Sequence, residues 1–139
     1  MLKATVKWVD GLQFVGESGS GHTVVMDANP EASKALTAMT PMEMLLVATG
    51  GCSAMDVASV LSKKRQDIID IRVAVTGKKA ESHPHKFVDI KLEYTITGRD
   101  VSEYAVKKAI ELSLDKYCSV KATLEGSAKV SYTYEIVNV

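Results

Sequence analysis

The sequence predicts an α+β fold in the order βββ-α-ββ-α-β. Three observations predict it: runs of residues that alternate polar and apolar as half-buried strands do, two segments of helical character, and strands that occur in groups instead of alternating regularly with helices. A chain of 139 residues is about the size of one ordinary domain. We therefore expect a single domain that spans residues 1–139.

The first third of the chain is predicted to be a three-stranded meander. Residues 3–9 alternate with a period of two, and residues 12–15 resume the alternation after Asp10-Gly11. An Asp-Gly pair between two such runs is a strong hairpin signal, because both central residues of a type I′ turn need positive φ. A turn at residues 18–21 and a third strand at residues 22–27 complete the meander. Since a small sheet alone leaves a face unburied, we expect it to pack against another element.

The central helix is predicted to begin at Pro41, with Thr40 as its N-cap, and to end near Lys64. It is apolar on most sides as far as Asp56, which is typical of a buried helix. Gly50-Gly51 lies in its middle, where each glycine costs about 0.5–1 kcal/mol relative to alanine. That cost indicates a close approach by another element.

Two strands, a helix and a last strand are predicted to follow. Residues 71–77 and 88–96 alternate as strands, and the loop between them contains His83 and His85. The second helix is predicted to open within residues 98–103, with Asp100 and Glu103 as a capping box. Residues 128–136 form the last predicted strand.

The charge balance disfavours a polyanionic partner. The 17 Lys+Arg residues equal the 17 Asp+Glu residues, so no net field attracts nucleic acid or an anionic membrane. The N-terminus alternates and does not resemble a signal peptide, and the strongly apolar residues 42–48 are too few to span a bilayer. We therefore expect a cytoplasmic protein, in which two cysteines serve transient, catalytic or redox-sensing chemistry.

Cys52 and Cys118 are the candidate reactive residues. Cys52 lies in the predicted central helix and Cys118 follows the second helix, a spacing far too long for a CxxC motif or a zinc knuckle. Methionines surround the first cysteine and would suit an adaptable apolar pocket: Met39, Met42, Met44 and Met55. A methionine-filled core, with each cysteine as a small buried hydrophobe, is the structural alternative.

Residues 40–46, 50–56 and 112–120 together resemble the OsmC/Ohr family. The resemblance extends over nearly the whole chain: the element order, a proline-led helix that carries the first cysteine, and a second helix that ends at the other. It implies an OsmC-like α+β fold with a long buried central helix, in an interlocked homodimer. The second copy would cover the apolar face of the meander.

The resemblance implies a thiol peroxidase that reduces organic hydroperoxides in defence against oxidative stress. Cys52 would attack the peroxide and become a sulfenic acid. Cys118 would then condense with it to a disulfide, which a dithiol reductant reopens. The implied partners are an apolar hydroperoxide or other small apolar ligand, the reductant and a second copy of the chain. No metal, cofactor, nucleic acid or membrane is expected.

The sequence departs from the family's peroxidases in two places and so represents a divergent branch. The family places an arginine from the N-terminal sheet beside the reactive cysteine, yet the only arginines here are Arg65, Arg72 and Arg99. The family's glutamate directly follows the helix-opening proline, whereas here Glu43 comes one residue later, about 180° around a regular helix from Cys52. The candidate substitutes for the arginine are Lys3, Lys7, His22, His83 and His85.

These departures leave a rival function open. A reactive thiol needs a nearby cation or dipole, whereas Asp56, one turn after Cys52, brings negative charge. The rival is a non-catalytic OsmC-like protein that binds a small apolar ligand or senses redox state. A cysteine–histidine hydrolase lacks a base-and-orienter pair, and a zinc site built from both cysteines with His83 and His85 matches no usual spacing.

Overall fold

The computed structural model of the protein describes residues 1–29, 31 and 35–139. The chain folds into two compact units, Met1–Leu45 and Leu46–Val139. The elements are β1 (Ala4–Asp10), β2 (Gln13–Ser18), β3 (Thr23–Met26), α1 (Pro41–Lys63), β4 (Asp67–Lys79), β5 (Phe87–Arg99), α2 (Glu103–Leu112), a π-helical turn (Ser113–Tyr117), α3 (Ser119–Leu124) and β6 (Lys129–Asn138). The predicted α+β order is confirmed, with the π turn and the short α3 as additions between α2 and the last strand.

The first unit contains the predicted meander, an antiparallel sheet in the order β1-β2-β3. Val6 pairs with Gly16, which pairs with Val24, so these residues share one face of the sheet. That apolar face is formed by Ala4, Val6, Trp8, Phe14, Gly16, Val24 and Met26. Val6 and Trp8 are 57% and 66% exposed, so the meander leaves large apolar side chains in solvent.

The predicted first hairpin is confirmed, but its predicted turn type is wrong. Asp10 pairs with Gln13, so the two turn residues are Gly11 and Leu12. Only Gly11 of these two has a positive φ, of 54°, whereas a type I′ turn requires positive φ at both. Leucine has a Cβ and avoids that region, which is why the glycine alone takes it.

Helix α1 begins at Pro41, as predicted, and its first turn contains a capping box. The Glu43 N–H donates to Thr40 Oγ1 at 3.1 Å, and the Thr40 N–H donates to Glu43 Oε1 at 3.0 Å. The two residues thus satisfy each other's backbone donors at the helix start. The Glu43 carboxylate, a doubtful catalytic candidate on sequence grounds, is engaged in this cap.

Within one chain, α1 is buried along one face instead of on most sides. The buried residues recur every four positions at Thr49, Ser53, Val57 and Leu61, with Gly50 beside the first of them. On other sides of the helix, Val47 and Met55 are 58% and 74% exposed. A single chain therefore covers only the stripe that faces its own sheet.

Among the described helices, α1 alone is long and apolar enough to cross a bilayer on length and composition, with a mean hydropathy of 1.6 over its best 18-residue window. The apolar helix is thus longer than residues 42–48, on which the prediction of no membrane-spanning segment was based. Core helices of soluble proteins meet the same criterion. The hydrogen-bonded Ser53 in its buried stripe fits a core helix.

The second unit is built on a mixed sheet in the order β4-β5-β6. The central strand β5 is antiparallel to β4 and parallel to β6. Because parallel neighbours need a crossover, α2, the π turn and α3 connect β5 to β6. The inward side chains of β5 are buried, namely Ile90, Leu92, Tyr94 and Ile96, and its outward residues Asp89, Lys91 and Glu93 are exposed, as the alternation predicts.

The predicted start of the second helix is wrong. Helix α2 begins at Glu103 with Ser102 as its N-cap, whose Oγ accepts from the Ala105 N–H at 3.2 Å. Asp100 lies outside the helix with a φ of 50°, so the Asp100–Glu103 capping box does not form. Gly98 belongs to β5. Serine and aspartate are both good N-caps, and residue type alone did not distinguish them.

The two glycines of α1 provide a matched test of how the helix packs on β4. A Cβ at Gly50 would lie 2.8 Å from Val75 Cγ2, whereas one at Gly51 would have no described neighbour within 4 Å. The predicted close approach is therefore confirmed at Gly50 only. We expect Gly51→Ala to raise the free energy of unfolding by about 0.5–1 kcal/mol through helix propensity. Gly50→Ala should lower it by about 1–2 kcal/mol because the stiff valine must move.

Urea denaturation of both variants checks this packing. Equal stabilisation by the two alanines would contradict the contact between α1 and β4.

Candidate functional site

The second unit brings both cysteines together with one carboxylate. Cys52 Sγ, Cys118 Sγ and a carboxylate oxygen of Asp56 all lie within 4.8 Å of one another. We call these three residues the thiol–carboxylate trio. Two of its members come from α1, and the third comes from the segment after α2.

The geometry of α1 explains the positions of Cys52 and Asp56, and the π turn explains the position of Cys118. Cys52 and Asp56 are four residues apart on α1 and therefore lie on the same side of the helix. The Cys118 N–H donates to Ser113 O at 2.7 Å, which closes the π turn, and Cys118 then caps α3. Its sulfur accepts the Lys121 N–H at 3.4 Å. Such π turns are frequent at functional sites, where they redirect a side chain.

The two thiols differ in accessibility. Both cysteines are free; Cys118 is 3% exposed and Cys52 is half-buried. A molecule from solvent therefore reaches Cys52 before Cys118.

Burial raises the pKa of the Cys118 thiol to about 11. The Lys121 N–H acts in the opposite direction, while a hydrogen bond to Cys52 and the charges of Cys52 and Asp56 raise this pKa further. At neutral pH Cys118 is consequently a thiol that can donate a hydrogen bond to Cys52.

A buried hydrogen-bond chain leads to the carboxylate. Ser113 Oγ donates to Asp56 Oδ2 at 2.9 Å, Ser53 Oγ lies 2.8 Å from Ser113 Oγ, and Tyr94 Oη lies 2.6 Å from Ser53 Oγ. A carboxylate only accepts, so the Ser113 proton is committed to Asp56. Ser53 must then donate to Ser113, and Tyr94 must donate to Ser53. The chain thus runs in one direction, from Tyr94 to Asp56.

This chain fixes the carboxylate beside the thiols. Ser53, Ser113 and Tyr94 are almost fully buried, and burial raises the pKa of Tyr94 to about 12, so the phenol keeps its proton. The Asp56 carboxylate therefore accepts a hydrogen bond from the Ser113 hydroxyl, whose own orientation is fixed by Ser53.

Proteins of a known family resemble this chain over most of its length. The family model described as OsmC-like protein matches residues 32–133. The protein YhfA of Escherichia coli K12 is 47% identical over 136 residues, which cover 98% of this chain and 98% of that protein. The chain belongs to the OsmC family. The resemblance found in the sequence is thereby confirmed.

Solved structures agree on the fold of this OsmC-family protein. A hypothetical protein from Aquifex aeolicus VF5 is 30% identical, with a TM-score of 0.83 and coverage of 98% of this chain and 97% of that one. An organic hydroperoxide resistance protein OsmC from Legionella pneumophila is 15% identical, with a TM-score of 0.71 and coverage of 100% and 97%. At that identity the likeness shows the fold alone.

In this OsmC-family protein, the three histidines among the five candidate substitutes, and also Arg99, make contacts with groups outside the trio. The rings of His83 and His85 meet edge to face with their centroids 4.1 Å apart, and His85 Nδ1 lies 2.9 Å from Ala80 O. His22 Nδ1 bonds Ser20 Oγ at 3.0 Å in the first unit. Arg99 pairs with Asp67 at 3.4 Å. Within the described residues, the ion pairs do not include Asp56.

The methionines proposed as pocket lining lie in different places. Met44 lines an apolar pocket of about 400 Å³ in the first unit, together with Val6, Val24 and Met26. The backbone of Met39 forms an isolated parallel β-bridge with that of Met26. Met42 is half-buried, and Met55 is largely exposed on α1. A methionine pocket around Cys52 remains a prediction.

Sequence reasoning missed the hydrogen-bond chain. The position of Asp56 one helical turn after Cys52 indicates from the sequence alone that its carboxylate lies near the cysteine. Ser53 directly follows Cys52 on α1, but a single serine is not part of a recognisable motif. In the strand pattern, Tyr94 is only one of several apolar positions. Only the tertiary structure joins these residues to Ser113.

Proposed function

We propose that the protein is a thiol-dependent peroxidase that reduces organic hydroperoxides, with Cys52 as the attacking residue and Cys118 as the resolving residue. The observation that supports it is the convergence of the two sulfurs within 4.8 Å from distant parts of the chain. Family membership and the fold shared with an organic hydroperoxide resistance protein support the same proposal.

In the first step, the Cys52 thiolate attacks the terminal oxygen of the hydroperoxide. An S–O bond forms, the O–O bond breaks, and the electron pair leaves with the alkoxide, which takes a proton and departs as the alcohol. Cys52 is then a sulfenic acid. Its exposure relative to Cys118 favours this role.

In the second step, the Cys118 sulfur attacks the sulfenic sulfur. An S–S bond forms, the S–O bond breaks, and hydroxide leaves with the Cys118 proton as water. The sulfurs must close to about 2.05 Å. A dithiol reductant then opens the disulfide by exchange and returns both thiols, which suits a reducing compartment such as the cytoplasm.

A second candidate function is a non-catalytic redox-sensing or small-ligand-binding protein. One observation favours it: the thiols adjoin the Asp56 carboxylate, where the family's peroxidases have an arginine. In such a protein the thiols react with peroxide too slowly for turnover.

We also infer that the protein is a homodimer. The apolar face of the meander and the exposed residues Val47 and Met55 of α1 are the surfaces that a second copy would cover. Sedimentation equilibrium should give the mass of two chains, and a monomer at micromolar concentration would contradict the inference.

The direct test is stopped-flow mixing of the reduced, metal-free protein with cumene hydroperoxide. We expect both thiols to disappear within seconds at equimolar peroxide, with one alcohol formed per pair. Thiols that survive for minutes would exclude the peroxidase and leave the non-catalytic alternative.

A further inference from the structure

We propose that the reduced thiol–carboxylate trio binds one soft divalent cation of the zinc(II) class. Two cysteine sulfurs and one carboxylate oxygen form a donor set that zinc accepts, and thiolates select it over magnesium or calcium. This set differs from the one weighed on the sequence, because Asp56 takes the place of His83 and His85.

The spacing of the donor atoms fits a tetrahedral ion. Zinc bonds of about 2.3 Å to sulfur and about 2.0–2.2 Å to carboxylate oxygen place tetrahedral donors roughly 3.5–3.8 Å apart. The three donors here already lie within 4.8 Å of one another. The donors therefore need to approach one another by no more than about 1 Å to reach the spacing of tetrahedral ligands.

The surroundings hold two of the three ligands in place. The Ser113 hydroxyl orients the Asp56 carboxylate, and the Lys121 N–H donates to the Cys118 sulfur. Groups behind the ligands, such as the Ser53–Tyr94 pair, normally fix ligand orientation and raise metal affinity. The site is thus supported from two elements that are distant in sequence.

The negative charge of the ligand groups also favours a divalent cation. Three groups that are anionic as ligands converge, and within the described part of the chain Asp56 takes part in no ion pair. A divalent cation ionises the thiols it coordinates and neutralises the cluster. Three protein ligands leave a fourth position for water.

Metal binding and peroxide reduction would exclude each other. A bound cation occupies the electron pairs of Cys52, and the disulfide formed by a hydroperoxide removes both sulfur ligands. The reduced protein would therefore hold the cation and release it on oxidation. The peroxidase chemistry itself needs no metal, so each proposal can fail alone.

Cobalt(II) titration of the reduced, chelator-treated protein tests the site, because thiolate ligands give Co(II) an intense near-ultraviolet charge-transfer band. We expect saturation at one cobalt per chain and displacement by an equimolar amount of zinc. The protein oxidised to the disulfide with diamide should show no band, a comparison that needs no variant.

Variants then identify the ligands. Cys118→Ser should retain about half of the band, and Cys52→Ser likewise. Asp56→Asn should keep the two-sulfur band but weaken binding by about 10-fold or more. Asp70→Asn, an exposed carboxylate on β4, is the matched control and should bind normally. The absence of a band in the reduced protein at tenfold cobalt, or a full band in Cys52→Ser, would overturn the proposal, whatever the peroxide assay shows.

Discussion

Replacing Cys52 by serine is expected to abolish hydroperoxide reduction, with the steady-state rate falling by at least about 10³-fold. A serine hydroxyl has no accessible anion at neutral pH, and Cys118, at 3% exposure, cannot replace the attacking sulfur. Consumption of cumene hydroperoxide in the presence of a dithiol measures the effect.

Ser62→Ala is the matched control, because Ser62 is exposed near the end of the same helix. It should reduce the peroxide at the wild-type rate. If Cys52→Ser keeps more than a tenth of the activity, the attacking residue has been misassigned. If the wild-type protein and both variants are all inactive, the result supports the non-catalytic function.

Replacing Cys118 by serine is expected to separate the two chemical steps. The first equivalent of peroxide should be reduced at close to the wild-type rate, because Cys52 is intact and serine retains a hydroxyl beside it. Turnover should then fall by about 10²-fold or more, since an external thiol must replace a sulfur held within 4.8 Å.

Accumulation of the Cys52 sulfenic acid in Cys118→Ser would show directly that the second step is blocked. A 1,3-dione that reacts with sulfenic acids should label Cys52 stoichiometrically in Cys118→Ser and hardly at all in the wild type. Equal turnover by both proteins would show that Cys118 does not resolve the sulfenic acid.

The sequence predicted the elements better than their arrangement. Period-two alternation located β1, β2, β4 and β5, since a half-buried strand must present one apolar face. The parallel pairing of β5 with β6 was not predicted, because alternation within a strand says nothing about which neighbour it has or in which direction. The π turn at Ser113–Tyr117 also left no pattern in residue type, and it is the turn that directs Cys118 toward α1.

Only part of the site was predicted, again because sequence patterns do not show which elements pack together. Family resemblance singled out Cys52 and Cys118, but spacing alone could not bring them together across the chain. The alignment of Asp56 with Cys52 follows from helical periodicity, whereas Ser113 and Tyr94 join them only through tertiary packing. The sequence indicated negative charge from Asp56 near Cys52, and the structure places that carboxylate within 4.8 Å of both sulfurs.

The central claim is that Cys52 and Cys118 act as one redox pair. Peptide mapping of the wild-type protein under non-reducing conditions, after one equivalent of cumene hydroperoxide per chain, tests it most directly. We expect a single cross-linked species that joins the peptides of Cys52 and Cys118 and disappears with a dithiol. Two unmodified thiols, or Cys52 oxidised to the sulfinic acid beside a free Cys118, would contradict it.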